Sequence, residues 1–270
     1  ILVNNYRTDK YEQPETDFPT DVRTMALQGD TLWIGSLNGL YTYQLNTKKL
    51  ASLDSKSNGL PHHTIYSIIR TTDNQIYVGT YNGLCRYIEE SGKFENIPLP
   101  VNRSVSNLFV NSLLEDTSRQ CIWIGMEGSL FQYTPATGLM KPIDAFHNNS
   151  IKSLALDGDG NLLAGTDNGL YVYQNDNGTL QHIVHDSRNI QSLTNNIIWN
   201  IFADQEQNIW LGTDYGISLS RYNSALQFIP ISQITGTGDG NQFYSLFRDS
   251  KGFYWFGGTN GVIRFTNPTG

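Results

Sequence analysis

The segment LWIGSLNGLYTY, residues 32–43, decides the fold because close copies of it recur along the chain. Five further copies begin at Ile76, Ile122, Leu162, Ile209 and Tyr254. The first glycines of the six copies are Gly35, Gly79, Gly125, Gly165, Gly212 and Gly257, so successive copies lie 40 to 47 residues apart. A period of about 40–50 residues with strong strand character is typical of β-propeller blades or of a solenoid.

Each copy reads as part of a unit of four antiparallel strands. An apolar first strand and a polar turn precede the quoted aromatic strand, and a third strand ends at an aromatic residue. Four of the turns between the second and third strands contain Asn-Gly, where we expect type I′ hairpins because Asn and Gly tolerate positive φ. Apolar anchors for a fourth strand follow at Leu50, Phe94, Leu139, Leu180 and Phe228. The pattern predicts an all-β fold, a β-propeller of four-stranded antiparallel blades with six repeats visible.

The two ends of the chain bear on how the propeller closes. We expect a single propeller domain over residues 1–270, with six blade units from about residue 21 onward. The last copy ends at Phe265, five residues before the end of the chain and before any fourth strand. Residues 1–20, around Tyr6, are therefore expected to supply the fourth strand of the last blade, which would remove two sheet edges. The alternative is six blades of a seven-bladed or tandem array.

Composition excludes several classes of protein. The chain is rich in Gly (25), Tyr (15) and Phe (12), and only 16% of its residues are charged, which argues against a helical protein. Its net charge of -7 disfavours nucleic-acid binding, and no apolar run of about 18 residues would insert into a membrane. Cys85 and Cys121 lie in apolar strands, so buried free thiols are favoured over a disulfide. Because the chain starts at Ile1 without a visible signal peptide, we expect a fragment excised from a larger secreted or membrane-anchored protein.

The repeats resemble the two-component regulator propeller repeat, whose pattern is roughly G-x-L-W-I-G-T-x-x-G-L-x-x-Y. The fit is close over residues 31–43, 161–173 and 208–213. The resemblance implies the periplasmic sensor part of a hybrid two-component system of the kind common in Bacteroidetes. There the propeller accompanies an Ig-like segment, a membrane helix, a histidine kinase and a DNA-binding regulator. It also implies an oligosaccharide as ligand. A second copy, a neighbouring propeller or the Ig-like domain are the expected protein partners.

One position in the first strands is a candidate ligand site, because the first strands of a propeller line its central channel. Alignment of the six strands places a variable residue just before a small polar one, and it reads Val22, Tyr66, Asn111, Lys152, Trp199 and Tyr244. Aromatic faces beside amides and a cation suit a sugar, whose CH groups stack on rings and whose hydroxyls need directional partners. We predict ligand binding at Tyr66, Asn111, Lys152, Trp199 and Tyr244. The alternative is that these side chains plug the channel entrance.

Trp199 is the sharpest candidate, since the other four tryptophans recur at one repeat position and read as core. Three further ligand candidates lie in loops. Arg103 and Arg188 are in loops that join blades, where with Lys152 they could meet a sulfate or a uronate, and Tyr81 is at the tip of a tight turn.

No catalytic motif stands out. Asp recurs at one repeat position, which predicts turn chemistry because Asp accepts local backbone N–H bonds; the residues are Asp116, Asp157, Asp204 and Asp249. We therefore predict no catalytic residues, no metal site and no cofactor. The alternative functions are a purely structural or dimerisation propeller and, less favoured, a propeller polysaccharide lyase or hydrolase, for which Glu127 and His147 are the nearest acid–base pair.

Overall fold

A computed structural model of the chain describes residues 3–5, 10–12, 18–54, 56–100, 108–146, 149–174, 176–189, 191–221, 226–229 and 242–265. Within these ranges the regular structure is β-strand, apart from one short 3-10 helix, Asp144–Phe146. The chain divides into two compact units, Ile1–Val110 and Asn111–Gly270. The predicted all-β propeller fold is confirmed, with each repeat forming one antiparallel sheet whose strands neighbour one another in chain order.

The first unit contains two four-stranded blades. The first blade consists of β3 (Val22–Gln28), β4 (Thr31–Ser36), β5 (Gly39–Gln44) and β6 (Lys49–Leu53). The second consists of β7 (Ile65–Arg70), β8 (Ile76–Thr80), β9 (Gly83–Ile88) and β10 (Lys93–Ile97). Ahead of them, β1 (Val3–Asn5) pairs with β2 (Lys10–Glu12).

The second unit carries the remaining four blades, the first strand of which begins at the last residue of the first unit. The third blade consists of β11 (Val110–Asp116), β12 (Cys121–Met126), β13 (Ser129–Thr134) and β14 (Leu139–Pro142). The fourth consists of β15 (Ile151–Leu156), β16 (Leu162–Thr166), β17 (Gly169–Tyr173) and β18 (Leu180–Ile183). The fifth consists of β19 (Ile198–Ala203), β20 (Ile209–Thr213), β21 (Gly216–Ser220) and β22 (Leu226–Ile229). The sixth has three described strands, β23 (Phe243–Arg248), β24 (Tyr254–Gly258) and β25 (Gly261–Phe265).

The expected closing strand stays a prediction. Tyr6 lies outside the described residues, and the flanking β1 and β2 are paired with each other. The fourth-strand anchors of the five preceding blades all fall in fourth strands, as predicted.

The hydrophobic core lies between successive blades of each unit. In the first unit, Trp33 and Leu40 of the first blade pack with Ile65 and Val78 of the second. Three similar clusters join the successive blades of the second unit. The repeated glycine of the second strand makes this approach possible, since a Cβ built on Gly165 would lie 2.7 Å from Cγ2 of Ile198 in the next blade. Cys85 and Cys121 are buried free thiols, as predicted.

The repeated Asp holds both its own turn and the repeated Trp. Asp204 Oδ1 accepts the backbone N–H groups of Glu206 and Asn208 at 3.0 and 2.8 Å, which confirms the predicted turn chemistry. Its Oδ2 also accepts the indole N–H of Trp210 at 3.0 Å. The same bond joins Trp123 to Asp116 at 3.0 Å and Trp255 to Asp249 at 2.8 Å.

The predicted type I′ turns are wrong. Type I′ requires positive φ at both central residues, yet no positive φ occurs at Asn38, Asn82, Asn168 or Asn260. Positive φ falls instead on the glycine that opens the third strand, such as Gly169 at 104°. A hydroxyl that ends the second strand holds the turn: Thr166 Oγ1 accepts the Asn168 N–H at 3.0 Å and donates to the Gly169 carbonyl at 2.9 Å.

Candidate functional site

A β-bulge separates one residue of the first strand from the hydrogen-bonded ladder. In β15 the pairing steps from Ile151, opposite Thr166, to Ser153, opposite Gly165, and passes over Lys152. Register shifts at the same place pass over Tyr66 in β7, Trp199 in β19 and Tyr244 in β23. Bulges re-aim a side chain and are common beside binding sites. The variable position found in the sequence is therefore a bulge position in these blades.

The alignment of the first blade is wrong by one residue. Val22 pairs with Ser36 and Thr24 pairs with Gly35, so the bulge falls on Arg23 and not on Val22. Thr24 is accordingly the small polar residue that follows the bulge, equivalent to Ser67 in the second blade. Arg23 is exposed. An Arg stands where the sequence alignment placed an apolar residue.

Three bulge residues of the second unit are in consecutive contact, and we call Lys152, Trp199 and Tyr244 the bulge cluster. The Lys152 ammonium lies 4.6 Å from the centroid of the Trp199 ring, a cation–π distance. The rings of Trp199 and Tyr244 meet edge to face with centroids 5.2 Å apart. All three residues are half-buried. Within the described part of the chain, Lys152 has no ion-pair partner.

Polar side chains fix the aromatic members of the bulge cluster. The Trp199 indole N–H donates to Oδ1 of Asp214, in the tight turn between β20 and β21. The Tyr244 hydroxyl donates to Oε1 of Gln242. Sequence reasoning singled out neither acceptor as a site residue, because the Asp214 contact crosses from a first strand to a turn beyond the second strand. Groups held in this way lose little side-chain entropy when a ligand binds.

Asn111 has a structural role in this arrangement. Its side-chain amide donates to the backbone carbonyl of Ile151 at 3.1 Å and so links the first strands of the third and fourth blades. The structure places it beside the backbone that precedes Lys152, where its amide bonds the backbone and not a side chain of the bulge cluster.

Tyr66 and Tyr81 belong to a separate aromatic group in the first unit. Phe109 links them, with ring centroids 5.8 Å from Tyr66 and 4.0 Å from Tyr81. His62 lies 4.9 Å from Tyr81 and stacks on His63 at 4.3 Å. Burial, and then the neighbouring His63, lower the pKa of His62, so this imidazole is neutral near pH 7. Phe109 was not anticipated, since it lies outside the repeated segment.

The loop cations do not form a positive site in the described residues. Arg188 is highly exposed and is paired with Asp186, its Nε lying 3.2 Å from Oδ1. Arg103 lies outside the described residues. Of the acid–base pair named in the sequence, His147 also lies outside the described residues. The other member, Glu127, accepts a hydrogen bond from the Ser150 hydroxyl at 2.6 Å. Nowhere in the described ranges do three or more His, Cys, Asp or Glu side chains group so that they could hold a metal ion.

The model of the family described as "Two component regulator propeller" matches residues 59–82, 192–215 and 237–260. The extracellular domain of a putative hybrid two component system from B. thetaiotaomicron is 82% identical to the chain and superposes with a TM-score of 0.79. The chain is therefore built of two-component regulator propeller repeats. The match to that domain covers 100% of this regulator propeller and 36% of the solved chain.

Two more distant proteins are also similar to this chain. Histidine kinase P4 of Formosa agariphila is 30% identical in a match of length 303, which covers 98% of this chain and 20% of the kinase. A second extracellular domain of a putative hybrid two component system from B. thetaiotaomicron is 21% identical, with a TM-score of 0.58 over 95% of this chain and 40% of the other. At that identity it shows the fold alone. The regulator propeller thus spans about a third of the similar ectodomain and a fifth of the kinase. In its described part no helix has the length and apolarity needed to cross a membrane.

Proposed function

We propose that this regulator propeller is a periplasmic sensing module of a hybrid two-component sensor kinase and response regulator, and that it detects an oligosaccharide through the bulge cluster. The observation that carries the proposal is the contact of Lys152, Trp199 and Tyr244, which three successive blades bring together from their bulges. The 82% identity to an extracellular domain of a putative hybrid two component system supports the sensing context. Kinase and regulator activities belong to the parent protein.

The chemistry of the bulge cluster suits a sugar. Trp199 and Tyr244 are half-buried rings held by hydrogen bonds, which provide fixed apolar surfaces for sugar CH groups. The Lys152 ammonium has three N–H donors, and without an ion-pair partner among the described residues it is available to a hydroxyl, carboxylate or sulfate. Asp214 adds an acceptor, since its bond to Trp199 uses only Oδ1. The cluster therefore combines stacking surface, donor and acceptor.

Calorimetric titration of an oligosaccharide panel into wild type and Trp199→Ala tests the proposal. We expect at least one oligosaccharide to bind wild type and to bind the variant about tenfold more weakly or worse, because a central aromatic anchor is lost. Phe247→Ala is the matched control, since Phe247 is an exposed aromatic on a first strand outside the cluster. Equal affinities for wild type and Trp199→Ala would remove the bulge cluster from the site. If no oligosaccharide bound wild type, the proposal that the ligand is an oligosaccharide would be wrong.

A second candidate role is protein contact, and the first blade favours it. Thr24 faces the second blade, where its Oγ1 accepts the Ile68 N–H at 3.2 Å. Met25 and Leu27 alternate with it on β3 and are 53% and 51% exposed. Such apolar exposure on a regular strand indicates a docking surface. We propose the rest of the parent ectodomain as its occupant, because the regulator propeller spans only 36% of the similar solved ectodomain.

A further inference from the structure

A pocket of about 370 Å³ lies in the second unit between the loop that joins the fourth and fifth blades and the tight turn of the fifth blade. Its lining includes His185, Asp186, Arg188, Asn189, Thr194 and Tyr215. None of these residues belongs to the bulge cluster. The volume falls in the range of small-molecule sites.

The loop side of the pocket is held rigid by its own hydrogen bonds. Ser192 Oγ accepts the Asp186 N–H at 2.9 Å and donates to the Asp186 carbonyl at 3.0 Å. The His185 ring is 2.6 Å from the carbonyl of Leu193, whose side chain is buried in the core between the fourth and fifth blades. The pocket is therefore formed before any ligand arrives, which lowers the entropic cost of binding.

Tyr215 supplies an open aromatic face on the other side of the pocket. It is 70% exposed, so packing does not account for it. Four other blades have Asn at the equivalent turn position, for example Asn168 in the fourth blade. Its neighbour Asp214 accepts the Trp199 indole N–H, so one tight turn joins this pocket to the bulge cluster.

The charges in the pocket balance. Arg188 Nε and Nη2 lie 3.2 and 3.4 Å from the two carboxylate oxygens of Asp186. Hydrogen bonds from the Arg188 side chain and backbone lower the pKa of Asp186, so the pair is ionised at neutral pH. The Arg188 guanidinium is a planar donor and the Asp186 carboxylate a planar acceptor, so together they can bond two neighbouring hydroxyl groups of a sugar. A carboxylate on the ligand would be repelled by the negative charge of Asp186.

We propose that this pocket binds a neutral sugar residue, which stacks on Tyr215 and donates and accepts hydroxyl hydrogen bonds at Asp186 and Arg188. The inference rests on the proposed function, because the sugar would be the residue adjoining the one held at the bulge cluster. It adds the class of sugar bound at this end of the site and the binding residue Tyr215, which stands where four other blades have Asn.

The experiment uses the whole chain and calorimetry with neutral oligosaccharides of two to six residues and matched oligosaccharides that contain uronate. Tyr215→Ala is expected to weaken binding of the neutral set about tenfold, whereas Tyr215→Phe keeps the ring and stays within about threefold of wild type. Asn168→Ala, at the equivalent turn, is the matched control and is expected to match wild type. Arg188→Ala, which leaves Asp186 without its cation, should weaken the neutral set as well.

Four outcomes distinguish this inference from the proposed function. Loss of affinity in Tyr215→Ala with retention in Tyr215→Phe and Asn168→Ala supports the pocket. Wild-type affinity in Tyr215→Ala, together with weakened binding in Trp199→Ala, overturns the pocket and leaves the proposed function standing. Tighter binding of uronate-containing than of neutral oligosaccharides that persists in Lys152→Ala overturns the neutral class for this pocket, and no binding by wild type overturns both proposals.

Discussion

Asp204 shows how a single residue connects two blades of the second unit. Its carboxylate is almost fully buried and accepts bonds from its own turn, from Trp210 and from the Tyr254 hydroxyl of the next blade at 2.7 Å. Burial alone would raise the pKa of Asp204, but the hydrogen bonds from Trp210, Asn208 and Tyr254 outweigh it and lower that pKa. Burial and this bond raise the pKa of Tyr254 in turn. The turn residue is thus also a link between blades.

Asp204→Asn is expected to lower the free energy of unfolding by about 3 kcal/mol, because the donors on buried Trp210 and half-buried Asn208 would face an amide NH₂ in place of Oδ2. Chemical denaturation followed by circular dichroism measures the change. Asp157→Asn is the control: Oδ2 of Asp157 accepts the Asn161 side-chain amide at 2.9 Å, and Leu163, which has no N–H to donate, stands in the Trp position of that blade. There we expect about 1 kcal/mol. Equal losses would show that the indole bond contributes nothing.

Acid should destabilise the chain by protonating the carboxylates of the repeated turn Asp residues. Hydrogen bonds lower the pKa of Asp116, Asp204 and Asp249 in spite of burial. A carboxyl whose folded pKa lies below its unfolded value of about 3.9 stabilises the fold above that pH, and the contribution is lost as pH falls through the folded pKa. We therefore expect a level melting temperature from pH 7 to about 5 and a decline below about 4. Asp204→Asn should show a shallower decline, and a slope equal to that of wild type would contradict this assignment.

At the scale of the element, the first strand carries the candidate site, and the sequence does not reveal that the candidate position is a bulge. The repeat predicts four strands and a variable position at Tyr66, Lys152, Trp199 and Tyr244, all of which the structure places in bulges. The register of the first blade was misread because Arg23 and Thr24 both pass for the polar position. Sequence reasoning cannot find the contact of Trp199 with Asp214, since it depends on the tilt of a side chain across the hairpin.

Gly165 tests the close approach of neighbouring blades. A Cβ there would lie 2.7 Å from Ile198 Cγ2 and 2.8 Å from Ser153 Oγ, both in packed strands. We expect Gly165→Ala to cost about 1–3 kcal/mol of unfolding free energy, as overpacked cores do. Gly158→Ala is the matched control, because its Cβ would meet only the mobile end of the exposed Gln207 side chain. That variant should stay within about 0.5 kcal/mol of wild type. A tolerated Gly165→Ala would show that the blades can separate without loss.

At the scale of the whole molecule, the repeat predicts the fold class and most of the core, because one pattern is used six times. It predicts little about the features that occur in one blade only. Tyr215 and the loop of residues 185–189 and 191–194 meet because the chain folds back between the fourth and fifth blades, and no periodicity encodes that. The exposed face of β3 is equally invisible in the sequence, since Met25 and Leu27 look like ordinary core residues of a first strand.

The surroundings of that face in the parent ectodomain can be measured by the reactivity of a new thiol. Leu27→Cys is expected to react quickly with an alkylating reagent in the present chain and at least about tenfold more slowly in the complete ectodomain, where the docked segment covers it. The background is low, because burial raises the pKa of Cys85 and Cys121 and suppresses their thiolates. Leu139→Cys, on a fourth strand and 63% exposed, is the control that should react quickly in both proteins. Protection in the present chain that grows with its concentration would point to a second copy instead. Equal rates for Leu27→Cys in the two proteins would leave the face of β3 without the partner proposed for it.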